Sequence, residues 1–441
     1  MCERTECAKV IWNKDRETMP REEMEKLQLE RLQKMVAHAY TNVPFYRARL
    51  DEAGMTPDKI LALEDLRFIP PTTKADLRDN YPYGLFGVPQ SEVVRMHASS
   101  GTTGKPTVVG YTQGDLDVWS ENVARLVTAA GATKDDIVQN CFGYGLFTGA
   151  LGLHYGLEKI GASIIPCSSG NSEKQLMLMK DFGTTALIAT PTYAMYLGEM
   201  AKELGYKRED FKLRLGLLGS EGCTTELRGQ IEDSLGLFAT DNYGLSELMG
   251  PGMSGECQQR DGLHINEDCF LCEILNPETL EPVPDGEVGE LVVTTLAREC
   301  MPLLRYRTRD LTRIIKDPCA CGRTTARMDK IMGRSDDMLK IRGVNVFPSQ
   351  IESVLMNIDQ TSPHYMLYVR REGYVDTLEV KVELTDASLL ESYGNLERMR
   401  SQIQAKLATV LGLKAKVTLA EPKSIERFVG KARRIVDLRG Q

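Results

Sequence analysis

Apolar positions recur at helical spacing near the start of the chain. Met24, Leu27, Leu32, Met35, Val36 and Ala39 form a stripe across residues 20–40, and Pro20 suits a first helical position. Residues 115–130 carry the same period. Between residues 115 and 237, helical pieces alternate with short apolar runs at 163–166, 186–189 and 213–218. That alternation predicts α/β layers. From residue 268 to 315 the pattern turns to strands joined by turns, with runs at 270–274 and 289–294 around Pro284-Asp-Gly286. Two further strands, 92–98 and 107–112, bracket a Gly-rich loop. A boundary is expected near residues 333–337. Beyond it come a turn at 342–345, a helix at 349–358, strands at 365–370 and 377–384, a helix from about 395 to 411 and a strand at 416–419. The expected fold is α/β: a large multi-layer N-terminal domain, 1–332, with a β-rich section at about 268–330, and a small α+β C-terminal domain, 333–441.

Length supports this division, because 441 residues exceed what one core usually organises. The net charge of −8 and the lack of a basic tract argue against a nucleic-acid partner. The charged N-terminus has no apolar stretch of the secretory kind, and the least charged segment, 141–167, is broken by Gly and by Glu158-Lys159. No membrane association is therefore expected. Eleven cysteines without a regular framework suit a reducing cytoplasm, where clustered cysteines suggest metal before disulfide.

The loop Ser99-Ser100-Gly101-Thr102-Thr103-Gly104-Lys105-Pro106 is dense in hydroxyls and backbone donors and ends in an ammonium, which suits it to surround a polyphosphate. Strands on both sides, and Pro after Lys, set it apart from a Walker loop, which opens a helix. A second motif is Asp241-Asn242-Tyr243-Gly244-Leu245-Ser246-Glu247. Its Gly permits a tight turn beside a flat ligand, and Glu247 is either a hard oxygen for Mg²⁺ or a carboxylate at a helix start. A third is Tyr306-Arg-Thr-Arg-Asp310, in which Asp310 either accepts from both ribose hydroxyls or pairs with Arg305, Arg307 or Arg309. A fourth, residues 333–348, holds Arg334 and Asp336 at the boundary; a fifth is Gly430-Lys431.

In this order the motifs resemble the adenylate-forming enzymes, and most closely their phenylacetate–CoA ligase branch. Residues 142–149, 152–156 and 243–252 carry the branch likeness, and the resemblance runs from about residue 42 to 437. It implies a C-terminal lid that rotates between two half-reactions. An aryl acid would attack the α-phosphate of MgATP, and the thiol of CoA would then displace AMP from the acyl-adenylate. It also implies that Ser99 to Lys105 hold the phosphates and that Gly219, Ser220, Glu221 and Asp241 to Gly244 flank the adenine. Asp310 would hold the ribose with Arg334 nearby, and Asp336 would be the hinge. Glu247 as Mg²⁺ ligand, Lys431 and Thr102 are the implied catalytic residues. Two stretches depart from the branch: Gly219-Ser-Glu-Gly-Cys-Thr224 replaces its usual Glu-Pro-Trp, and Phe428-Val429 replaces Ser-Glu before Gly430.

Phe142, Tyr144 and Phe147, interleaved with Gly, read as a flat apolar slot or as ordinary core aromatics; Leu245 is counted with them as a substrate contact. Cys319 and Cys321, with Cys257 and His264 upstream, offer a Cys₃His set for structural Zn²⁺, or else a few reduced thiols. Two other functions remain open: adenylation with an acceptor other than CoA, and nucleotide binding without chemistry. A homodimer is also left open.

Overall fold

The computed structural model describes residues 10–99, 106–336, 339–342, 344–372, 375–391, 393–427 and 434–439. Two units emerge. The first comprises Met1–Ala189, Glu209–Ser220 and Leu237–Lys330; the second comprises Thr190–Arg208, Glu221–Gly236 and Ile331–Gln441.

The first unit is organised by a nine-stranded mixed sheet. Ser163–Ile165, Ile137–Asn140, Ala186–Ala189, Leu215–Gly219 and Phe238–Leu245 lie side by side and parallel. Gly250–Glu256, Leu263–Ile265, Arg327–Met328 and Ile314–Ile315 extend it antiparallel. Ala186–Ala189 and Leu215–Gly219 are buried at every position, which explains their continuous apolar sequence: a central parallel strand is covered on both faces. A separate antiparallel set, Phe270–Leu275, Gly289–Thr295 and Tyr306–Thr312, forms the β-rich section.

Helix Gln113–Ala130 covers the sheet and shows how local sequence fixes an element. Thr112 and Asp115 make a capping box at its start, and Gly131, at φ +105°, ends it in the left-handed region. The fully buried Asp115 carboxylate accepts from the backbone N–H of Thr112 (3.0 Å), Glu299 (2.7 Å) and Cys300 (3.0 Å). Asp115→Ala strands three donors, so we expect stability to fall by about 3 kcal/mol. Urea unfolding with an unchanged slope is the check; a loss below about 1 kcal/mol would mean the donors find other partners.

The second unit contains helices Pro191–Glu203 and Thr225–Leu235 together with the C-terminal elements. Its four-stranded sheet runs Lys416–Ala420, Val375–Leu384, Thr361–Glu372, Ile435–Asp437. Helices Pro348–Met356 and Tyr393–Leu411 accompany it, and Ile351, Leu355, Leu367, Val380, Ile403 and Leu407 meet in one core. The strand expected at 92–98 is shorter: Gln90–Glu92 is a 3₁₀ turn after Pro89, and the strand is Arg95–Ala98. Of the turn expected at 342–345, Arg342 is in a turn and residue 343 lies outside the described residues, whereas Val344 and Asn345 belong to strand Val344–Val346, paired with Leu339–Ile341. Among the described residues, no helix is long and apolar enough to cross a membrane.

Candidate active site and candidate metal centre

Parallel strands leave their carboxyl ends on one edge of a sheet, where ligands of open α/β folds are held. In the first unit, 137–140 ends at the Phe142–Phe147 loop, 215–219 ends at Gly219-Ser220, and 238–245 ends at Glu247. Tight backbone approach is built in. A Cβ on Gly244 would lie 1.9 Å from the Gly250 carbonyl, and one on Gly219 would lie 2.8 Å from the Asn242 carbonyl. Asn242 donates its side-chain amide to the Leu218 carbonyl, and the Asp241 N–H donates to Glu256 at 2.8 Å. Ser220 sits at φ +71°. Glu221 falls in the second unit, where it accepts from Thr192.

Asp310 is buried on strand Tyr306–Thr312 and accepts from the Tyr243 hydroxyl at 2.6 Å. The fold therefore unites two motifs far apart in sequence. The neighbouring arginines face other acids: Arg305 pairs with Glu273 at 2.9 Å, while Arg307 and Arg309 pair with Glu290 at 2.7 and 3.6 Å.

Glu247 is buried in the short turn Ser246–Leu248, and its carboxylate lies 3.3 Å from the Lys74 ammonium. A single buried carboxylate facing a cation suits Mg²⁺, which fills its other positions with phosphate and water. Its backbone is held too. Buried Arg298 donates to the Glu247 carbonyl at 2.8 Å and to the Gly110 carbonyl at 3.2 Å, and lies over the Tyr111 ring. Sequence reasoning missed both Lys74 and Arg298. Lys74 carried a signal: Thr73 caps the helix Lys74–Asp79, so the lysine occupies a first helical position, where the dipole disfavours a cation. Arg298 carried none.

The strands Arg95–Ala98 and Val108–Tyr111 pair antiparallel, and Ser99 N–H donates to the Thr107 carbonyl at 2.9 Å, closing the loop's stem. Ser100, Gly101, Thr102, Thr103, Gly104 and Lys105 lie outside the described residues, as does Lys431. Arg334 and Asp336 lie in the second unit and pair with each other at 2.9 Å.

Phe142, Tyr144 and Leu245 are half-buried, whereas Phe147 is 50 % exposed. Tyr144 accepts from the Asn140 amide at 2.9 Å and lies 2.9 Å from His154 Nδ1. His154 Nε2 reaches the Glu158 carboxylate at 3.0 Å. Because a carboxylate only accepts, Nε2 carries a proton, and in the neutral ring Nδ1 accepts from the Tyr144 hydroxyl. Burial pushes the Tyr144 phenol up to about 12. Asn140 and His154 were not anticipated from sequence.

Cys257, His264, Cys319 and Cys321 are all buried, and their ligand atoms lie within 4.8 Å of one another. The Cys257 and Cys319 sulfurs are 3.7 Å apart, and Cys321 Sγ is 3.3 Å from His264 Nε2. Zn–S bonds of about 2.3 Å give tetrahedral edges of about 3.8 Å, so this spacing fits the ion. Thr325 Oγ1 lies 3.0 Å from His264 Nδ1, which fixes the ring and leaves Nε2 as the ligand atom. Among these four groups, the hydrogen bond between Cys257 and Cys321 raises the first thiol and lowers the second. Burial alone would push Cys319 up and His264 down, but the hydrogen bonds they make within the cluster, with the thiolate charges acting on His264, together reverse both. The nine described cysteines form no disulfide.

Known proteins can be set beside this geometry. Residues 25–297 match the AMP-binding enzyme family, and residues 343–439 match the AMP-binding enzyme C-terminal domain. The chain belongs to the AMP-binding enzyme family. Its relatives place it among the AMP-forming acid–CoA ligases. It is 49 % identical over 444 residues to a phenylacetate–coenzyme A ligase of Thermus thermophilus, covering 98 % of this chain and 100 % of that one. It is 49 % identical over 425 residues to a phenylacetate–coenzyme A ligase of Escherichia coli, covering 96 % and 97 %. A crystal structure of 2-hydroxyisobutyryl-CoA ligase with an acyl-AMP superposes with a TM-score of 0.92 at 31 % identity, covering 98 % of this chain and 93 % of the other.

Proposed function

We propose that this protein joins an arylacetic acid, phenylacetate or a near analogue, to CoA at the expense of ATP through an acyl-adenylate. The observation that carries the reading is the convergence of Glu247 with the Tyr243–Asp310 pair at one sheet edge, in a chain similar over its length to phenylacetate–CoA ligases. A carboxylate oxygen of the acid attacks the α-phosphorus, the new O–P bond forms as the bond to pyrophosphate breaks, and acyl-AMP results. The CoA thiol, losing its proton, then attacks the acyl carbonyl, and AMP leaves. Mg²⁺, when bound, offsets charge on the transferring phosphoryl group. Glu247 holds that charge in place, Asp310 fixes the ribose, Tyr243, which donates to Asp310, flanks the adenine, and Thr102 and Lys105 grip the phosphates. Phe142 and Tyr144 offer flat faces to an aromatic ring, with Leu245 and Phe147 beside them.

Lys431 steadies the charge on the attacking carboxylate and the phosphate in the first half-reaction. We read residues 333–441 as the domain that brings it in and withdraws it, with Asp336, which pairs locally with Arg334, at the hinge. Cys257, His264, Cys319 and Cys321 hold a structural Zn²⁺, with no open position for chemistry. A cytoplasmic setting accords with the number of cysteines and with their gathering in a metal-binding set.

The test is a panel of carboxylates with MgATP, read for pyrophosphate and AMP with and without CoA. Phenylacetate, hydroxyphenylacetates, indoleacetate, benzoate and a fatty acid are compared. AMP that rises only when an arylacetate and CoA are both present is the expected result. Acid-dependent pyrophosphate exchange indifferent to CoA would move the acceptor elsewhere, and no turnover with any acid would overturn the reading.

A further inference from the structure

His97 lies on the inner side of strand Arg95–Ala98, two residues before Ser99, and is 2 % exposed. Its ring packs edge-on against Tyr111 and Trp119, with centroids 5.6 and 6.0 Å away; those two rings stack at 4.9 Å. Such packing alone would suit a phenylalanine. The imidazole does more: Nδ1 lies 3.1 Å from the Leu146 carbonyl, which also accepts from the Ala98 N–H at 2.9 Å. One carbonyl of the Phe142–Phe147 loop is thus held twice by the strand that leads into the Ser99 loop. A carbonyl only accepts, so Nδ1 carries the proton. Burial, with the charges of Arg95 and Arg298 behind it, lowers the His97 pKa and keeps the ring neutral. Nε2 is buried and has no hydrogen-bond partner among the described residues, so the Nδ1 contact is what the nitrogen chemistry of this side chain achieves.

Tyr144 is held by Asn140, Ser168 and His154, and between it and Thr148 the loop is open to solvent. Leu146 and Phe147 are 65 % and 50 % exposed, and a Cβ on Gly145 would meet nothing within 4 Å. Directly after it, Thr148 Oγ1 lies 3.0 Å from Ser246 Oγ, beside Glu247, and at the other end the Phe142 N–H donates to Asn140 Oδ1 at 3.1 Å. We propose that His97 is a positioning residue for the acyl site: through Leu146 it ties the aromatic loop 142–147 to the stem of the Ser99 loop, and so sets the wall against which the acid's ring is placed. The assignment of that wall to the acid rests on the ligase reading above.

Three substitutions separate this role from packing. His97→Asn keeps an N–H on the atom bonded to Cγ, where Nδ1 sits. His97→Gln carries its amide one bond further out, and His97→Phe keeps the ring but no donor. The expected result is that the Gln and Phe variants raise KM for phenylacetate about tenfold at nearly constant kcat, while Asn stays within about threefold of wild type. Amide hydrogen exchange across residues 142–148 should rise about tenfold in Gln and Phe and little in Asn. Equal behaviour of Asn and Gln in exchange overturns the tether. A loosened loop with unchanged KM overturns its role in placing the acid. The exchange arm does not need turnover: if wild type consumes no arylacetate while the exchange pattern holds, the ligase reading fails and the tether stands.

Discussion

Glu247→Gln is expected to slow acid-dependent pyrophosphate exchange about a thousandfold while leaving the melting temperature within a few degrees of wild type. The substitution keeps shape and hydrogen-bonding capacity but removes the charge that a divalent cation needs. Effects of this size follow when one preorganised electrostatic partner is lost from a phosphoryl-transfer site. Stability changes little because the substitution removes the buried charge of the pair and leaves the half-exposed Lys74 ammonium able to turn to water. The Glu247 backbone stays where it is, since Arg298 grips its carbonyl rather than its carboxylate. Exchange kinetics over a range of Mg²⁺ concentrations, with a thermal melt on the same sample, make the check. Activity within tenfold of wild type would remove Glu247 from the metal's coordination.

Cys319→Ser is expected to take bound zinc from one ion per chain to almost none, and to lower the melting temperature by several degrees. A structural zinc site contributes about 10 kcal/mol to a small domain that cannot fold without it. Here much of the surrounding sheet persists, so a smaller share is lost. The damage should be local and legible. Arg323, two residues beyond Cys321, pairs with Glu17 at 2.5 Å, the Thr324 N–H donates to the Glu17 carbonyl, and the Thr324 hydroxyl donates to the Met19 carbonyl. Loosening the Cys319–Cys321 turn therefore loosens residues 10–19, and trypsin should cut sooner at Lys14 or Arg16. Elemental analysis, a melt and timed digestion read the three effects. A fully folded wild type that carries no zinc, with the variant melting alongside it, would reduce the cluster to buried thiols.

Much of this was open to reading in the chain itself, for reasons that differ by residue. The strand after the Ser99 loop was legible because Val108, Val109 and Tyr111 are β-branched or aromatic, whereas the one before it begins at Arg95, after Val93 and Val94. The Cys₃His set was legible as composition, and the fold brings 257 and 264 to 319 and 321 by placing them on or beside antiparallel neighbours. Asp310 shows the limit. Three arginines stand in the five residues before it, so sequence proximity favours them as partners, yet backbone φ values of +45° and +68° at Arg305 and Arg309 accompany side chains that face Glu273 and Glu290. Its hydroxyl partner, Tyr243, lies 67 residues away. Pairings of that kind depend on sheet order, which no local pattern records. The grouping of Pro191–Glu203 and Thr225–Leu235 with the C-terminal elements was hidden for the same reason.

Lys74 has a consequence that reaches beyond its contact with Glu247. A cation at the first position of a helix is electrostatic frustration: the positive end of the dipole meets a positive side chain, and the short helix Lys74–Asp79 has few turns over which to spread the cost. The buried Glu247 carboxylate, 3.3 Å away, relieves the conflict, so the helix carries this charge because a neighbouring element supplies the counter-charge. Lys74→Glu would ease the helix dipole only by setting a second carboxylate against buried Glu247, so the charge at this position answers to the site and not to the helix that carries it.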